Sequence, residues 1–202
     1  MFHVGHKMFH VGPLFEVKMG IIRYSSQNYF QASNPIEAVC LHGTAGSLWG
    51  SLATLRDVRV DNPALAVSSN YLIDKNGQIY ELVPWQLNRR AYANGVVENY
   101  DKSLNWLVQA VRAGLNPNLI TVSIEHVAGE LEMISRASMP NAQFNSSIEL
   151  TANILAAAGL KANHQTIVGH NQISGYKRYN CPGVIFPPAY TEVLINRFPE
   201  LG

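Results

Sequence analysis

The sequence predicts an α/β domain with a central mixed β-sheet flanked by helices. Short apolar, β-branched runs alternate along the chain with segments whose apolar residues recur at helical spacing, as in strands packed against helices. A second observation is the turn sequence Asp-Lys-Asn-Gly between two alternating runs, which favours a hairpin. We therefore expect one domain over residues 35–202, preceded by an N-terminal extension over residues 1–34 that packs on the domain or precedes it.

The first half of this domain is predicted to hold a buried strand, a helix and the hairpin. Residues 36–42, IEAVCLH, form an apolar run that ends at His42 and is followed by a polar loop. Leucines then recur at helical spacing over residues 48–58, directly after Ser47, which is a typical N-cap residue. The hairpin is expected over residues 66–84.

The second half continues the alternation. Residues 101–118 have the pattern of an amphipathic helix, and residues 119–129 that of a strand. The Ala- and Leu-rich segment 146–160 is predicted to be a helix capped by Ser146 or Asn145. The regular alternation of strands and helices predicts a single sheet rather than separate domains.

Two short elements complete the predicted fold. The run TIVGH, residues 166–170, is expected to be the end of a strand that delivers His170 to the sheet edge. Residues 189–198 are predicted to form a terminal helix, with Pro187 and Pro188 at its start.

Composition excludes several classes of function. The 202 residues are 47% hydrophobic and carry a formal net charge of +1, with acidic and basic residues spread along the chain, so there is no basic patch for nucleic acid. We find no apolar run of transmembrane length and no apolar segment followed by a secretory cleavage site. We therefore expect a soluble, monomeric protein that neither inserts into membranes nor binds nucleic acid.

Polar side chains of catalytic types follow three of the predicted strands. His42 ends the first, Glu125 lies near the end of TVSIEH, and His170 follows TIV. Such positions commonly carry the sites of α/β proteins, because strand ends meet at one sheet edge. Cys181 follows on the loop that His170 opens. Taken singly, each of these residues also has an ordinary structural explanation, as a hydrogen-bonded histidine, a solvated glutamate or a buried thiol.

Together these residue types can form a zinc site. Two imidazoles and a thiolate are a three-ligand set with a fourth position free for water, which is typical of catalytic zinc. Zn²⁺ lowers the pKa of such water from about 15.7 to about 7 and polarises a substrate carbonyl. Glu125 would be a general base beside it. An alternative is a disulfide between Cys40 and Cys181 in a protein without a metal.

Four motifs in order carry a family resemblance: VCLHGTAGS, VSSNYLIDKNGQIYELVP, ITVSIEH, and IVGHNQIS followed by CPG. From Pro35 to the C terminus the chain resembles the zinc-dependent N-acetylmuramoyl-L-alanine amidases of the type 2 family. That family includes phage endolysins, bacterial autolysins and animal peptidoglycan recognition proteins. The resemblance implies a central mixed sheet and cleavage of the amide that joins N-acetylmuramic acid to L-alanine in peptidoglycan.

The resemblance also implies roles for individual residues. It makes His42, His170 and Cys181 the ligands of Zn²⁺ and Glu125 the catalytic base. Some family members have an aspartate at the third ligand position, so this chain is similar to the cysteine branch.

Two departures from the family pattern concern the surroundings of the metal. Many members have a lysine two positions before the third ligand, where this chain has Tyr179. Lys177 is our first choice for the missing cation and Arg178 the second. Where many members have a Trp-His-Ala-Gly-like stretch, this chain has the sequence YANG, residues 92–95, without the histidine. Because that histidine is not among the three ligands, its loss bears on substrate contacts.

The resemblance implies a metal-dependent enzyme that acts on peptidoglycan, and we expect a phage endolysin. Such an enzyme is made in the host cytoplasm and acts on the cell wall after a separate protein permeabilises the membrane. Two alternatives remain open: a non-catalytic peptidoglycan-binding module of the same fold, and a bacterial amidase that recycles muropeptides or acts as an autolysin.

Overall fold

The centre of the structure, a computed structural model that describes residues 20–57, 66–130, 132, 139–183 and 189–202, is a six-stranded mixed sheet. Neighbouring strands are parallel except for one antiparallel pair, β4 and β5. In spatial order the strands are β1 (Ile21–Arg23), β5 (Ile79–Glu81), β4 (Tyr71–Ile73), β7 (Thr121–His126), β3 (Ala38–Gly43) and β8 (Ile167–Gly169). A separate antiparallel pair is formed by β2 (Tyr29–Gln31) and β6 (Arg89–Ala91).

Helices cover both faces of the sheet. They are α1 (Leu48–Arg56), α2 (Asn105–Arg112), α3 (Asn141–Ala158), α4 (His170–Ile173) and α5 (Tyr190–Arg197), with short 3₁₀ helices at Trp85–Leu87, Pro117–Leu119 and Pro199–Leu201. The two faces can be told apart along β3, because successive side chains of a strand point to opposite sides. Val39 and Leu41 pack in the core with α3 and α5, whereas Ala38 and Cys40 pack with α2. This layered arrangement confirms the predicted α/β class.

Most of the predicted elements are present. The first predicted strand is β3, which ends at Gly43, directly after His42. Ser47 caps α1 by accepting a hydrogen bond from the Gly50 amide at 3.3 Å. The predicted hairpin is the β4–β5 pair. Its turn needs a glycine, because Gly77 has a φ of +86° and a Cβ there would lie 2.8 Å from the carbonyl oxygen of Ala142 on α3.

The predicted start of α3 is wrong. The helix begins at Asn141, four or five residues before the expected caps Asn145 and Ser146, and no side chain caps it. The cause is tertiary: Gln143 is fully buried and its amide donates to the carbonyl oxygens of Ile73 and Val127. Ser146, one of the two expected caps, instead donates to the carbonyl oxygen of Gly77 at 2.7 Å.

Three short strands were not predicted from the sequence. Each of β1, β2 and β6 has three residues, and β1 is exposed along its whole length, so it carries little apolar patterning. β1 extends the main sheet by pairing with β5, and β2 pairs with β6. Residues 1–19 of the predicted N-terminal extension, Pro187 and Pro188 lie outside the described residues, and the domain boundary at residue 34 stays a prediction.

No helix in the described ranges combines the length and the hydrophobicity that crossing a bilayer requires.

Candidate metal centre

Three buried side chains with metal-binding atoms meet at the carboxyl end of the sheet. His42 lies near the end of β3, and His170 is the first residue after the parallel neighbouring strand β8. Cys181 lies on the loop that follows α4 and reaches back to β3, where the Gly43 amide donates to its Sγ at 3.5 Å. The two nearest ligand nitrogens and the sulfur all lie within 4.8 Å of one another. The structure thus brings together all three predicted ligands.

The spacing of these atoms fits a small metal ion. Nδ1 of His42 lies 4.0 Å from Sγ of Cys181, and the two imidazole rings are 4.4 Å apart between centroids. Ligands of one tetrahedral zinc ion are roughly 3.3–3.6 Å from each other, given bonds of about 2.0–2.3 Å. The set therefore needs to contract by only about 1 Å to hold such an ion.

Burial keeps the candidate ligands uncharged. It lowers the pKa of His170 to about 4 and that of His42 well below its usual value, so both imidazoles have a free lone pair at neutral pH. Burial also raises the pKa of the Cys181 thiol to about 12, with a further contribution from the charge of Glu125. A bound cation reverses this effect on a thiol, because it stabilises the thiolate.

Glu125 faces the same point from the adjacent strand. It lies on β7 directly opposite His42, and its Oε1 is 3.9 Å from Nδ1 of His42. Because His42 is neutral, this contact is not an ion pair. Burial raises the pKa of Glu125 to about 7, while the charge of Arg178 acts in the opposite direction. Its Oε2 has no hydrogen-bond partner among the described residues, so the carboxyl group is available to a bound molecule.

A cavity of about 520 Å³ opens over these four residues. Its walls are formed by the loop 43–46, one face of α1, the segments 67–68 and 92–93, and the loop 177–181. The cavity is open to solvent, so a molecule from solution can reach the metal-binding atoms.

Comparison with known proteins agrees with this geometry. The family model described as N-acetylmuramoyl-L-alanine amidase matches residues 32–184. The chain belongs to this amidase family. No curated protein sequence gives a significant match to the chain.

Several solved structures share the amidase fold. A selenomethionine derivative of AmpD is 18% identical with a TM-score of 0.62, and the match covers 86% of this chain and 93% of AmpD. The E. coli amidase AmiD, in complex with an anhydro-muropeptide substrate, is 23% identical with a TM-score of 0.58; the match covers 83% of this chain and 61% of AmiD. An endolysin of a Thermus scotoductus bacteriophage is 18% identical with a TM-score of 0.55, and the match covers 88% of this chain and 97% of the endolysin.

The two candidate cations of the amidase lie on the wall of the cavity but differ in their surroundings. Nζ of Lys177 is 3.7 Å from Oε1 of Glu98, which gives this cation a partner outside the metal centre. The charge of Arg178, in contrast, lowers the pKa values of the four residues at the centre, namely His42, Glu125, His170 and Cys181.

The alternative of a Cys40–Cys181 disulfide is wrong. Both cysteines are free and buried. Cys40 lies in the apolar cluster between β3 and α2, which includes Leu107 and Val168, whereas the sulfur of Cys181 lies at the strand end beside Gly43. The two thiols therefore belong to different environments, one in the core and one at the metal centre.

Sequence reasoning missed a buried hydrogen-bonded chain that holds the backbone of His42. Nδ1 of His126 lies 2.8 Å from the His42 carbonyl oxygen, which can only accept, so Nδ1 is the donor. Nε2 must then accept, from the Ser147 hydroxyl at 2.8 Å. Ser147 in turn accepts from the Tyr190 hydroxyl at 2.7 Å, and Tyr190 accepts from Thr151 at 3.0 Å. A single histidine beside a predicted catalytic glutamate gives no sequence signal of this role.

Aromatic side chains often line binding grooves, and three of them differ in their position relative to this cavity. Trp85 is packed in the main core, whereas Tyr92 lines the cavity. Trp49, on the exposed side of α1, is 68% accessible to solvent. Of these three, Tyr92 has the position expected for a substrate contact.

We expect His126→Gln to make the free energy of unfolding of the metal-free protein less dependent on pH below neutrality. Burial lowers the pKa of His126 from 6.5 to about 4, so between these values the unfolded state binds a proton that the native state does not. Stability is therefore lost as the pH falls through this range. Removing the histidine lowers the pH dependence of the free energy of unfolding by up to about 1.4 kcal/mol per pH unit, the contribution of one bound proton.

The measurement is urea unfolding from pH 6.5 down to pH 4 in the presence of a chelator. His164→Gln is the matched control, since His164 is exposed and should leave the slope unchanged. Equal slopes for the wild-type protein and His126→Gln would contradict the assignment.

Proposed function

We propose that this amidase hydrolyses the bond between N-acetylmuramic acid and L-alanine in bacterial peptidoglycan, with Zn²⁺ held by His42, His170 and Cys181. The observation that carries the proposal is the convergence of these ligands and Glu125 at the floor of one open cavity. Membership of the amidase family supports the reaction. The muropeptide bound to AmiD, which shares the fold, supports the class of substrate.

The donor set fits zinc in its chemistry as well as its spacing. Neutral imidazoles and a thiol that loses its proton next to a cation are the preferred ligands of Zn²⁺. A zinc ion held there would polarise the scissile carbonyl and lower the pKa of water to about 7. With three protein ligands, one coordination position is left for the reaction, as in other catalytic zinc sites.

Glu125 is proposed as the group that moves the proton. Its carboxylate accepts a proton from the attacking water as the oxygen adds to the carbonyl carbon. The same proton passes to the amide nitrogen when the carbon–nitrogen bond breaks and L-alanine leaves as an amine. A pKa near 7 suits both steps, because the group is then neither a very weak base nor a very weak acid at neutral pH.

A cation at the rim of the cavity is proposed to stabilise the negative charge that develops on the carbonyl oxygen. Lys177 was the first choice from the sequence. The pairing of Lys177 with Glu98 and the effect of Arg178 on all four central residues support Arg178 for this role.

The test of the reaction is incubation of purified peptidoglycan and soluble muropeptides with the zinc-loaded protein, with and without a chelator. We expect new L-alanine amino termini, no new reducing ends, and loss of activity with the chelator. Binding without any cleavage would favour the non-catalytic module. Cleavage of intact cell walls would support an endolysin or autolysin, whereas cleavage restricted to soluble muropeptides would support a recycling amidase.

Glu125→Gln should keep zinc but lower turnover about 100-fold or more, because the amide cannot accept the proton. The measurements are zinc content and the rate of release of L-alanine amino termini. Glu192→Gln, an equivalent change on the exposed side of α5, is the control and should leave both unchanged. Unchanged turnover in Glu125→Gln would remove Glu125 from the mechanism.

Cys181→Ala should reduce zinc content from about one ion per chain to nearly none after dialysis, because a coordinating thiolate is lost. Cys40→Ala is a closely matched control, since it removes the other buried thiol but leaves the proposed ligand set intact. Metal analysis of both variants decides the point. Retention of zinc by Cys181→Ala, or its loss in Cys40→Ala, would contradict the proposed ligand set.

Arg178→Gln should lower kcat about 10-fold or more with little change in zinc content, since it removes the positive charge that acts on all four residues at the centre. Lys177→Gln removes the neighbouring cation and should have a smaller effect. Steady-state kinetics on a soluble muropeptide compare the two variants. A larger loss of kcat in Lys177→Gln would return the role to Lys177.

A further inference from the structure

Asn94 lies fully buried, with its side chain next to His42 and its backbone carbonyl next to His170. It belongs to the YANG stretch, one of the two places where the chain departs from the pattern of its family. Its backbone is anchored, because the Asn94 amide donates to Oδ1 of Asn118 at 2.7 Å. Its side chain is anchored as well, because Nδ2 donates to the hydroxyl of Thr121 at 2.8 Å.

These contacts define the orientation of the Asn94 side-chain amide. The hydroxyl of Thr121 lies 3.0 Å from the carbonyl oxygen of Pro117, which can only accept, so the one hydroxyl proton points there. The Thr121 oxygen must then accept from Asn94, which places Nδ2 on the Thr121 side. Oδ1 of Asn94 consequently points the other way, as an acceptor without a partner in regular hydrogen-bond geometry among the described residues.

His42 provides the complementary donor. The Asn94 side chain makes a polar contact with His42, although a looser one than a regular hydrogen bond. Nε2 of His42 is buried and, like Oδ1 of Asn94, has no partner in regular geometry within the described part of the chain. Nδ1 of His42 faces the opposite way, toward Cys181 and Glu125. Nε2 of His42 and Oδ1 of Asn94 therefore match as donor and acceptor.

His170 is held by the backbone of the same residue. Its Nε2 lies 3.0 Å from the carbonyl oxygen of Asn94, and a carbonyl oxygen can only accept. Nε2 of His170 therefore carries the proton. A neutral imidazole has one N–H group, so Nδ1 of His170 has the free lone pair.

We propose that Asn94 is a positioning residue that holds both histidine ligands in the Nε2–H tautomer, through its side chain for His42 and its backbone for His170. Nδ1 of each ring then faces the metal centre. Outer hydrogen bonds of this kind orient metal-binding histidines and increase their basicity, and their loss typically weakens metal binding about 10–100-fold. The effect on zinc rests on the proposed function, whereas the tautomers are a property of the metal-free protein.

The first experiment needs no variant. Two-bond ¹H–¹⁵N correlation spectra of the metal-free protein at pH 7.5 report which nitrogen of each neutral histidine carries the proton. We expect the Nε2–H pattern for both His42 and His170. An Nδ1–H pattern, or a mixture of tautomers, at either histidine of the wild-type protein would overturn the proposal.

The second experiment separates the side chain from the backbone. Asn94→Ala removes the acceptor for His42 but keeps the carbonyl for His170, so we expect mixed tautomers at His42 and an unchanged pattern at His170. Zinc affinity, measured by competition with a chromophoric chelator, should fall about 10–100-fold. Asn70→Ala is the matched control, since Asn70 is also fully buried and hydrogen-bonded but pairs with Val83 and Ser123.

The outcomes distinguish the two proposals. Unchanged tautomers at His42 in Asn94→Ala, or the same change in Asn70→Ala, would overturn the role of Asn94. Failure of the wild-type protein to bind zinc would overturn the proposed metal function but leave the tautomer result valid. Should Asn94→Ala not fold, Asn94→Asp keeps an acceptor for His42, and the Nε2–H pattern at His42 must then persist.

Discussion

The parallel pairing of β3 with β7 and β8 is the constraint on which the site depends. In this register His42 lies directly opposite Glu125, while β8 ends beside β3 and delivers His170 to the same edge. A slip of one residue would turn either side chain to the opposite face of the sheet, because side chains alternate along a strand. The apolar residues of β3 pack on both faces and oppose such a slip, so the core that stabilises the fold also defines the geometry of the site.

Burial determines the electrostatics of the same site. The four residues at its centre are shifted toward their neutral forms: the pKa values of His42 and His170 are lowered, and those of Glu125 and Cys181 are raised. At neutral pH the candidate ligands are therefore uncharged, and Glu125, with a pKa of about 7, is only partly ionised. A divalent cation changes this balance, since it is attracted by the thiol and carboxyl groups once they lose their protons. The buried site and the proposed ion therefore complement each other.

The elements that the sequence predicted best are those with a local cause. The β3 run, the Ser47 cap and the Asn-Gly hairpin each depend on residue types within a few positions, and each is present. The start of α3 was misplaced because its first turn is stabilised by the distant strand ends that Gln143 contacts. The strands β1, β2 and β6 were not predicted, because such short segments at a sheet edge or in a separate two-stranded sheet leave no periodicity to detect.

The same distinction holds for the site. The residues of the candidate ligand cluster could be selected from the sequence because a histidine after a strand and a cysteine before Pro-Gly are visible in a single sequence and form a family pattern. The roles of the residues around those ligands could not be predicted, because these roles arise from contacts between segments that are distant in the sequence. Lys177 has its partner in Glu98, and this pairing follows from the isolated bridge that joins Glu98 to Ser174, rather than from any motif.

The support of His42 shows why these outer residues matter for function. His126 holds the backbone carbonyl of His42 from one side, and Asn94 faces its ring from the other. An imidazole held at both its backbone and its ring loses little further freedom when it binds a metal, so less of the binding energy is used for ordering. The absence of the usual histidine from the YANG stretch is therefore only part of the change there. In the proposed arrangement, the buried asparagine of that stretch also contributes to the order of the candidate ligands, from a position that the sequence pattern alone would have assigned to substrate contacts.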